Sequence, residues 1–235
     1  MNKLVKIIVE ILLAVAAVGC VYGIYRSIMK PVNFNKEKAR RQEVAVQRLK
    51  DIRTLEVAFK GVNNRYTASI DSLIDFYNNG KMDIIMQVGS NDDSLAVENT
   101  NKYKNDKAFK KLSKEEQNAK FMELYRKGEK LVFSISTPIA VKDTLFNSRP
   151  DFCPDSLKYI PFSGKMPVET AAITKTVSGV QVPLFEARMP WKALLKGMDN
   201  QLRINLDAEC KDQNRYEGLQ VGSVNQPNNN AGNWE

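Results

Sequence analysis

The first apolar run, Ile7 to Tyr25, reads IIVEILLAVAAVGCVYGIY and carries one charge in nineteen residues. At about 1.5 Å per residue such a helix matches the ~30 Å hydrocarbon layer of a bilayer, and it reaches Ile28 and Met29 if Arg26 snorkels. The pattern predicts an N-terminal transmembrane anchor over residues 1–30. Pro31 predicts its end, and Val32 to Asn35 a short juncture. From Lys36 to Val62 the pattern changes: Ala45, Leu49, Ile52, Leu55, Phe59 and Val62 recur every three or four positions, which predicts an amphipathic helix with one apolar stripe. A stripe of that length suits docking on a sheet of the same chain, with a coiled coil to a partner as the alternative.

Further on, the apolar positions alternate more than they cycle. Ser69 starts a short helix through Phe76, and Met82 to Gly89 reads as a strand ended by the turn Asn91-Asp92-Asp93. Ser113-Lys114-Glu115-Glu116 is a capping box that opens a helix to about Lys127, with Gly128 as its stop. Leu131 to Val141 is a strand that Pro138 pushes toward an edge. Val168–Thr176 and Val180–Ala187 flank Val177-Ser178-Gly179 as a hairpin, with Pro183 again favouring an edge. A short helix at Trp191–Lys196, a break at Gly197, the segment Leu202–Leu206 and a last strand or loop at Tyr216–Val224 complete residues 63–225. Residues 226–235 form a polar tail whose order depends on whether Trp234 docks. The fold class is α+β: a transmembrane helix, an amphipathic helix, then one mixed domain with a mainly antiparallel sheet.

Composition narrows the chemistry. Hydrophobic residues at 43% and charged residues at 26% are ordinary for a chain with a real core. The net charge of +8 is concentrated: residues 1–60 hold twelve Lys and Arg against five acids, which accounts for +7. That excess flanks the apolar helix, so it predicts contact with lipid headgroups and not with nucleic acid. The chain has no histidine, which removes imidazole-based triads and the usual His-containing zinc sites. Cys20, Cys153 and Cys210 show no CxxC spacing. Cys153 and Cys210 are the only possible disulfide pair outside the apolar run; in an oxidising compartment a bridge would close a long loop, and in a reducing one both would be buried thiols. No phosphate-cradling loop, nucleophile elbow or metal cluster is present in the sequence, and the Asp92-Asp93 turn lacks a spaced oxygen set for a cation. No cofactor and no small-molecule substrate is implied.

The apolar run outlasts the short core of a cleavable signal. Lipoprotein processing at Ala17-Val18-Gly19-Cys20, with lipidation of Cys20, is the alternative. Glu10 stands out because a carboxylate within a membrane helix is costly; it either snorkels or pairs with Lys6, or it meets a cation of a membrane partner. Glu10 and Gly19 within Val9-Glu10-Ile11-Leu12-Leu13-Ala14-Val15-Ala16-Ala17-Val18-Gly19 resemble the start of type IV pilins and type II secretion pseudopilins. The long helix, the Asn-rich turn Asn63-Asn64-Arg65-Tyr66-Thr67 and the short helix after it resemble the same family, over about residues 5–76. The family uses its glutamate to dock each new subunit, which implies an intramembrane partner contact at Glu10 and Gly19. Val5 and Lys6 depart from the family's cleavage site, where a glycine and then Phe or Met are expected.

Arg26, Lys30, Lys36, Lys38, Arg40 and Arg41 follow the span and outnumber Lys3 and Lys6, which by the positive-inside rule favours a cytoplasmic domain. The resemblance implies the opposite side: a bacterial inner membrane with the domain outside the cytoplasm. The function expected is a non-enzymatic, membrane-anchored envelope subunit, pilin-like or accessory, in a secretion, transport or surface-assembly complex. Its partners would be the lipid bilayer and other envelope proteins. A processed lipoprotein or envelope binding module, and a carboxylate-dependent hydrolase, are the alternatives.

Overall fold

A computed structural model describes residues 3–235, with side chains described at Ile7 and from Glu10 onward. In chain order the elements are α1 (Lys3–Asn63), α2 (Ile70–Asn79), β1 (Lys81–Val88), α3 (Ser94–Asn105), α4 (Lys114–Arg126), β2 (Phe133–Ala140), α5 (Val141–Thr144), β3 (Glu169–Val177), β4 (Val180–Pro190), α6 (Trp191–Leu194), α7 (Asn200–Asp212) and β5 (Gly218–Gly222). Among the described residues every strand pairing is antiparallel, so the chain is a mixed α and β structure built on antiparallel sheets and a long apolar N-terminal helix.

Pro31 does not end the first helix. The structure carries α1 through it without interruption, which corrects the expected juncture at residues 31–35. Proline removes one N–H donor, toward the Ser27 carbonyl, but the turns on either side keep their own i to i−4 bonds. The chain also divides into two compact units, residues 1–74 with 153–235, and residues 75–152, in place of one domain over 63–225.

In the first unit α1 lies on β4, β5 and α6. Ala45, Leu49, Ile52 and Leu55 are fully buried, as the periodic stripe requires, and Phe34 joins them at 8% exposure. Phe59 is only half-buried and Val62 is 45% exposed, so the docked stripe is shorter than its sequence pattern. The sheet has the order β3-β4-β5. Phe185, Ala187 and Met189 alternate along β4 and are all buried. The β3-β4 hairpin turns at Ser178 and Gly179, whose φ values of 51° and 83° are the two positive angles of a type I′ turn. Pro183 faces Thr174 of β3, whereas β5 pairs with β4 only from Glu186 to Pro190. β4 is therefore central at one end and an edge where its proline sits, which reconciles Pro183 with a middle strand.

Leu202–Leu206 lies inside the helix α7, which Asp199 caps by accepting from the Leu202 N–H at 3.0 Å. The segment 226–235 is docked on the sheet and not a free tail. Gly222 donates to the Ala231 carbonyl and Asn233 to the Gln220 carbonyl, both at 3.0 Å, while Arg53 reaches the Asn230 carbonyl and the Glu235 carboxylate. Asn229 and Asn230 take φ of 54° and 58°, a left-handed conformation that asparagine tolerates better than most residues. Gly232 is needed because the Trp234 ring lies over it: a Cβ there would meet the ring at 2.3 Å.

In the second unit β1 and β2 pair from Lys81↔Ala140 to Val88↔Phe133. Phe109, Phe121, Leu131 and Phe133 form its core, with Phe121 stacked on Phe133 at 5.2 Å. The capping box at Ser113 and Glu116 is formed, and Gly128 stops the helix with φ of 93°. The expected Asn91-Asp92-Asp93 turn leads directly into α3, whose N-cap is Asp93.

Candidate functional site

The feature that sets this chain apart is the outer half of α1. From Ile7 to Ile28 its described large apolar side chains, including Leu12, Val15, Val18 and Val21, stand 52–71% exposed. Among the described residues α1 is the one helix long and apolar enough to cross a membrane, and none of its apolar window is covered by protein. Exposing this much contiguous apolar surface to water is far outside what soluble proteins tolerate. Tyr22 and Tyr25, both more than 60% exposed, and Arg26 mark its inner limit with the amphipathic side chains common at a bilayer boundary.

Glu10 and Gly19 both lie on this uncovered surface, Glu10 as an exposed side chain and Gly19 with open space where a Cβ would stand. The pairing of Glu10 with Lys6, and the cleavage-site positions Val5 and Lys6, lie outside the described side chains. Gly23 is open in the same way as Gly19. Gly19-x-x-x-Gly23 is a spacing that lets two helices approach closely, a signal legible in the sequence once the segment is read as a membrane helix. Cys20 is exposed on the same helix.

Where the bare half gives way to the packed half, the basic side chains have structural work. Lys30 Nζ pairs with Asp199 Oδ2 at 2.8 Å, and that contact, with the Leu202 N–H, holds the Asp199 carboxyl below its usual range. Arg41 donates to the carbonyls of Leu194 and Lys196 at 3.1 and 2.9 Å and to Glu37 at 2.8 Å. Arg40 and Arg41 together hold the Glu37 carboxyl down at about 2. Both guanidinium groups also sit over the Phe162 ring, at 4.9 and 5.0 Å. Part of the cluster expected to meet headgroups therefore clamps α1 to the α6–α7 turn and to the loop around Phe162.

Cys153 and Cys210 stand as separate free thiols, Cys153 exposed and Cys210 buried on α7, so the possible bridge between them is not formed. Glu56 and Glu186 are the most buried carboxylates, at 1% and 3% exposure. Glu186 lies 2.6 Å from Arg188 Nε, outside hydrogen-bond alignment, and accepts from Gln220 at 2.9 Å. Glu56 accepts the Thr67 N–H at 3.1 Å, and burial pushes its carboxyl up to about 8 against that bond. Among the described residues no three His, Cys, Asp or Glu side chains are grouped to hold a metal ion. No protein-family model, curated protein or solved structure matches the chain.

Proposed function

We propose that the protein is a single-pass membrane subunit whose α1 does two jobs: its outer half lies in the bilayer and its inner half is the spine of the first unit. The observation that carries this is the continuity of one helix whose described apolar side chains are bare up to Ile28 and buried along one stripe from Ala45 to Leu55. We further propose that it works by protein–protein contact, as a pilin-like or accessory subunit of an envelope secretion, transport or assembly complex. Supporting this are the order of long helix, Asn-rich turn and short helix, and the uncovered Glu10, Gly19 and Gly23 on the membrane half.

On this reading the protein remains in carbonate-washed membranes, and mild-detergent extraction recovers it with other envelope proteins. Release by carbonate would sink the anchor, and recovery as a lone monomer would sink the subunit. Placement of the soluble part outside the cytoplasm rests on the resemblance, with the basic residues after the span weighing for the other side. The exposed Cys153 decides it: a membrane-impermeant maleimide labels it in intact spheroplasts only if that part is outside. Mass analysis of the mature N-terminus separates an intact anchor from pilin-like trimming and from lipidation at Cys20.

A further inference from the structure

The second unit leaves the two outer edges of its β1–β2 ribbon in different states. Its register pairs Asp83 with Pro138, Ile85 with Ser136 and Gln87 with Ser134, with no bulge between them. One step beyond Ala140, the Val141 N–H donates to the Gly80 carbonyl at 3.0 Å. In an antiparallel ladder such hydrogen-bonded pairs alternate with pairs whose backbone groups point outward. Met82, Ile84, Met86 and Val88 therefore bond toward β2, and Lys81, Asp83, Ile85 and Gln87 turn their N–H and C=O groups to the outer edge. Pro138 agrees with that phase, because its missing N–H falls on the outside of β2.

The outer edge of β2 is closed to pairing. Pro138 offers no donor in its middle, the Val132 N–H ahead of it is taken by the Thr100 hydroxyl at 2.8 Å, and the Ala140 carbonyl at its end accepts from Thr144 Oγ1 at 3.3 Å. β1 has no such protection. Among the described residues it pairs with β2 alone, and no backbone hydrogen bond from outside the ribbon reaches Asp83, Ile85 or Gln87. Ile85 is 70% exposed, more than any other described large apolar side chain outside α1, and Met86 beside it is 53% exposed. An open edge that carries apolar side chains is a ready template for another strand.

The side chains of β1 specify which strand fits. Set antiparallel to a second copy about a two-fold axis through Ile85, the outward residues become hydrogen-bonded pairs: Ile85 with its own copy, and Asp83 with Gln87 of the copy. On one face of the joined sheet Ile84 then lies opposite Met86 of the copy, and Met82 opposite Val88, so the apolar face that holds Phe133, Ile135 and Ile139 continues across the join. The other axes in the same phase fit worse. One through Asp83 would set two carboxylates face to face, and one through Gln87 would run out of strand at Gly89, whose φ of 82° ends β1.

We infer that β1 is a dimerisation strand, through which two copies of the chain join edge to edge about Ile85. Because the outer edge of β2 is blunted, the sheet closes at two copies and does not grow into a fibre. This extends the proposed subunit by making one of its partners a second copy of itself, and its geometry does not depend on the anchor.

The test is disulfide trapping in native membranes, on the full chain carrying Cys20→Ser, Cys153→Ser and Cys210→Ala. Ile85→Cys in that background is expected to give a cross-linked dimer on mild oxidation, because the two Cα atoms at the axis would be about 5.5 Å apart, within disulfide reach. Ser136→Cys, exposed on the same face one strand away, is expected to give none, since its copy would lie about 14 Å off. Sedimentation of the chain with its native cysteines in detergent micelles gives a second readout. A monomer–dimer equilibrium is expected, with a dissociation constant that rises at least about tenfold in Ile85→Lys, where two ammonium groups meet at the axis. Ile85→Pro, which removes only an outward N–H, is expected to act alike. Both should keep the wild-type circular dichroism, and if Ile85→Pro loses it, Ile85→Lys carries the comparison. No trapped dimer, equal trapping at positions 85 and 136, capture of a different protein at position 85, a chain monomeric at every concentration, or an unchanged dissociation constant in Ile85→Lys would overturn the inference. Retention in washed membranes without trapping would leave the anchor standing and remove the strand pairing, and release by carbonate with trapping intact would do the reverse.

Discussion

The two halves of α1 share one backbone and differ in what surrounds them. Up to Ile28 the described large apolar side chains are more than half exposed, and the helix carries few charges. From Ala45 to Leu55 a single stripe is fully buried, and charged side chains occupy the other faces. An apolar stripe one side wide needs a protein sheet to cover it, whereas a helix apolar all round needs an apolar solvent or several partners. Secondary structure is thus the same in both halves, and only the distribution of side chains around the axis tells them apart.

The comparison is broken most directly by truncating one residue in each half. Leu49→Ala is expected to destabilise the first unit by about 2–5 kcal/mol, the range for a buried leucine, and Leu13→Ala by less than about 0.5 kcal/mol, both read by denaturant unfolding in detergent. Equal effects would mean that the outer half packs on protein.

Leu13→Arg sharpens the other side. A guanidinium near the middle of the proposed span costs about 2.5–3.5 kcal/mol on insertion scales, so the membrane-bound fraction should fall steeply while the fold of the first unit persists. An unchanged membrane fraction would contradict the bilayer assignment.

Glu56, on the buried half, makes stability depend on pH. Its carboxyl is raised from 4.5 to about 8 in the folded state, so the folded protein keeps a proton that the unfolded chain loses between those values. Stability is therefore full below about pH 4.5 and declines as pH rises toward 8, by an amount on the order of 2–4 kcal/mol. Glu56→Gln keeps an acceptor for the Thr67 N–H and should flatten that decline, seen as equal unfolding midpoints at pH 5 and pH 8.

The smallest effect is expected at the junction. Asp199→Asn retains the cap on α7 and removes the ion pair with the half-exposed Lys30, for a loss of about 0.2–1 kcal/mol that added salt should mask.

Periodicity and turn chemistry made much of this architecture legible in the sequence. The outer run, the Ala45–Leu55 stripe, the Ser113 capping box and the Ser178-Gly179 hairpin each depend on neighbours within a few residues. Pro31 misled because proline's local penalty was outweighed by the helix on both sides of it. α7 was hidden by Leu202, Ile204 and Leu206, whose alternation mimics a strand although Leu202, Leu206 and Cys210 share one helical face. α3 is rich in Asn, Lys and Thr and gave no apolar period, with the Asp93 cap as its only cue. At Glu10 and Gly19 the sequence signal was local, and the structure adds that nothing among the described residues covers Gly19.

The uninterrupted passage of α1 through Pro31 has a mechanical consequence. A flexible link would let the first unit tumble independently of whatever grips residues 7–29, but a continuous helix fixes both height and azimuth. One residue inserted between Met29 and Phe34 would lift that unit by about 1.5 Å and swing it by roughly 100°, turning a different face toward any fixed neighbour. Four residues, slightly more than one turn, would nearly restore the heading at a height about 6 Å greater. The helix thus acts as an indexing shaft, so that register along one element decides which face of the protein a fixed partner meets.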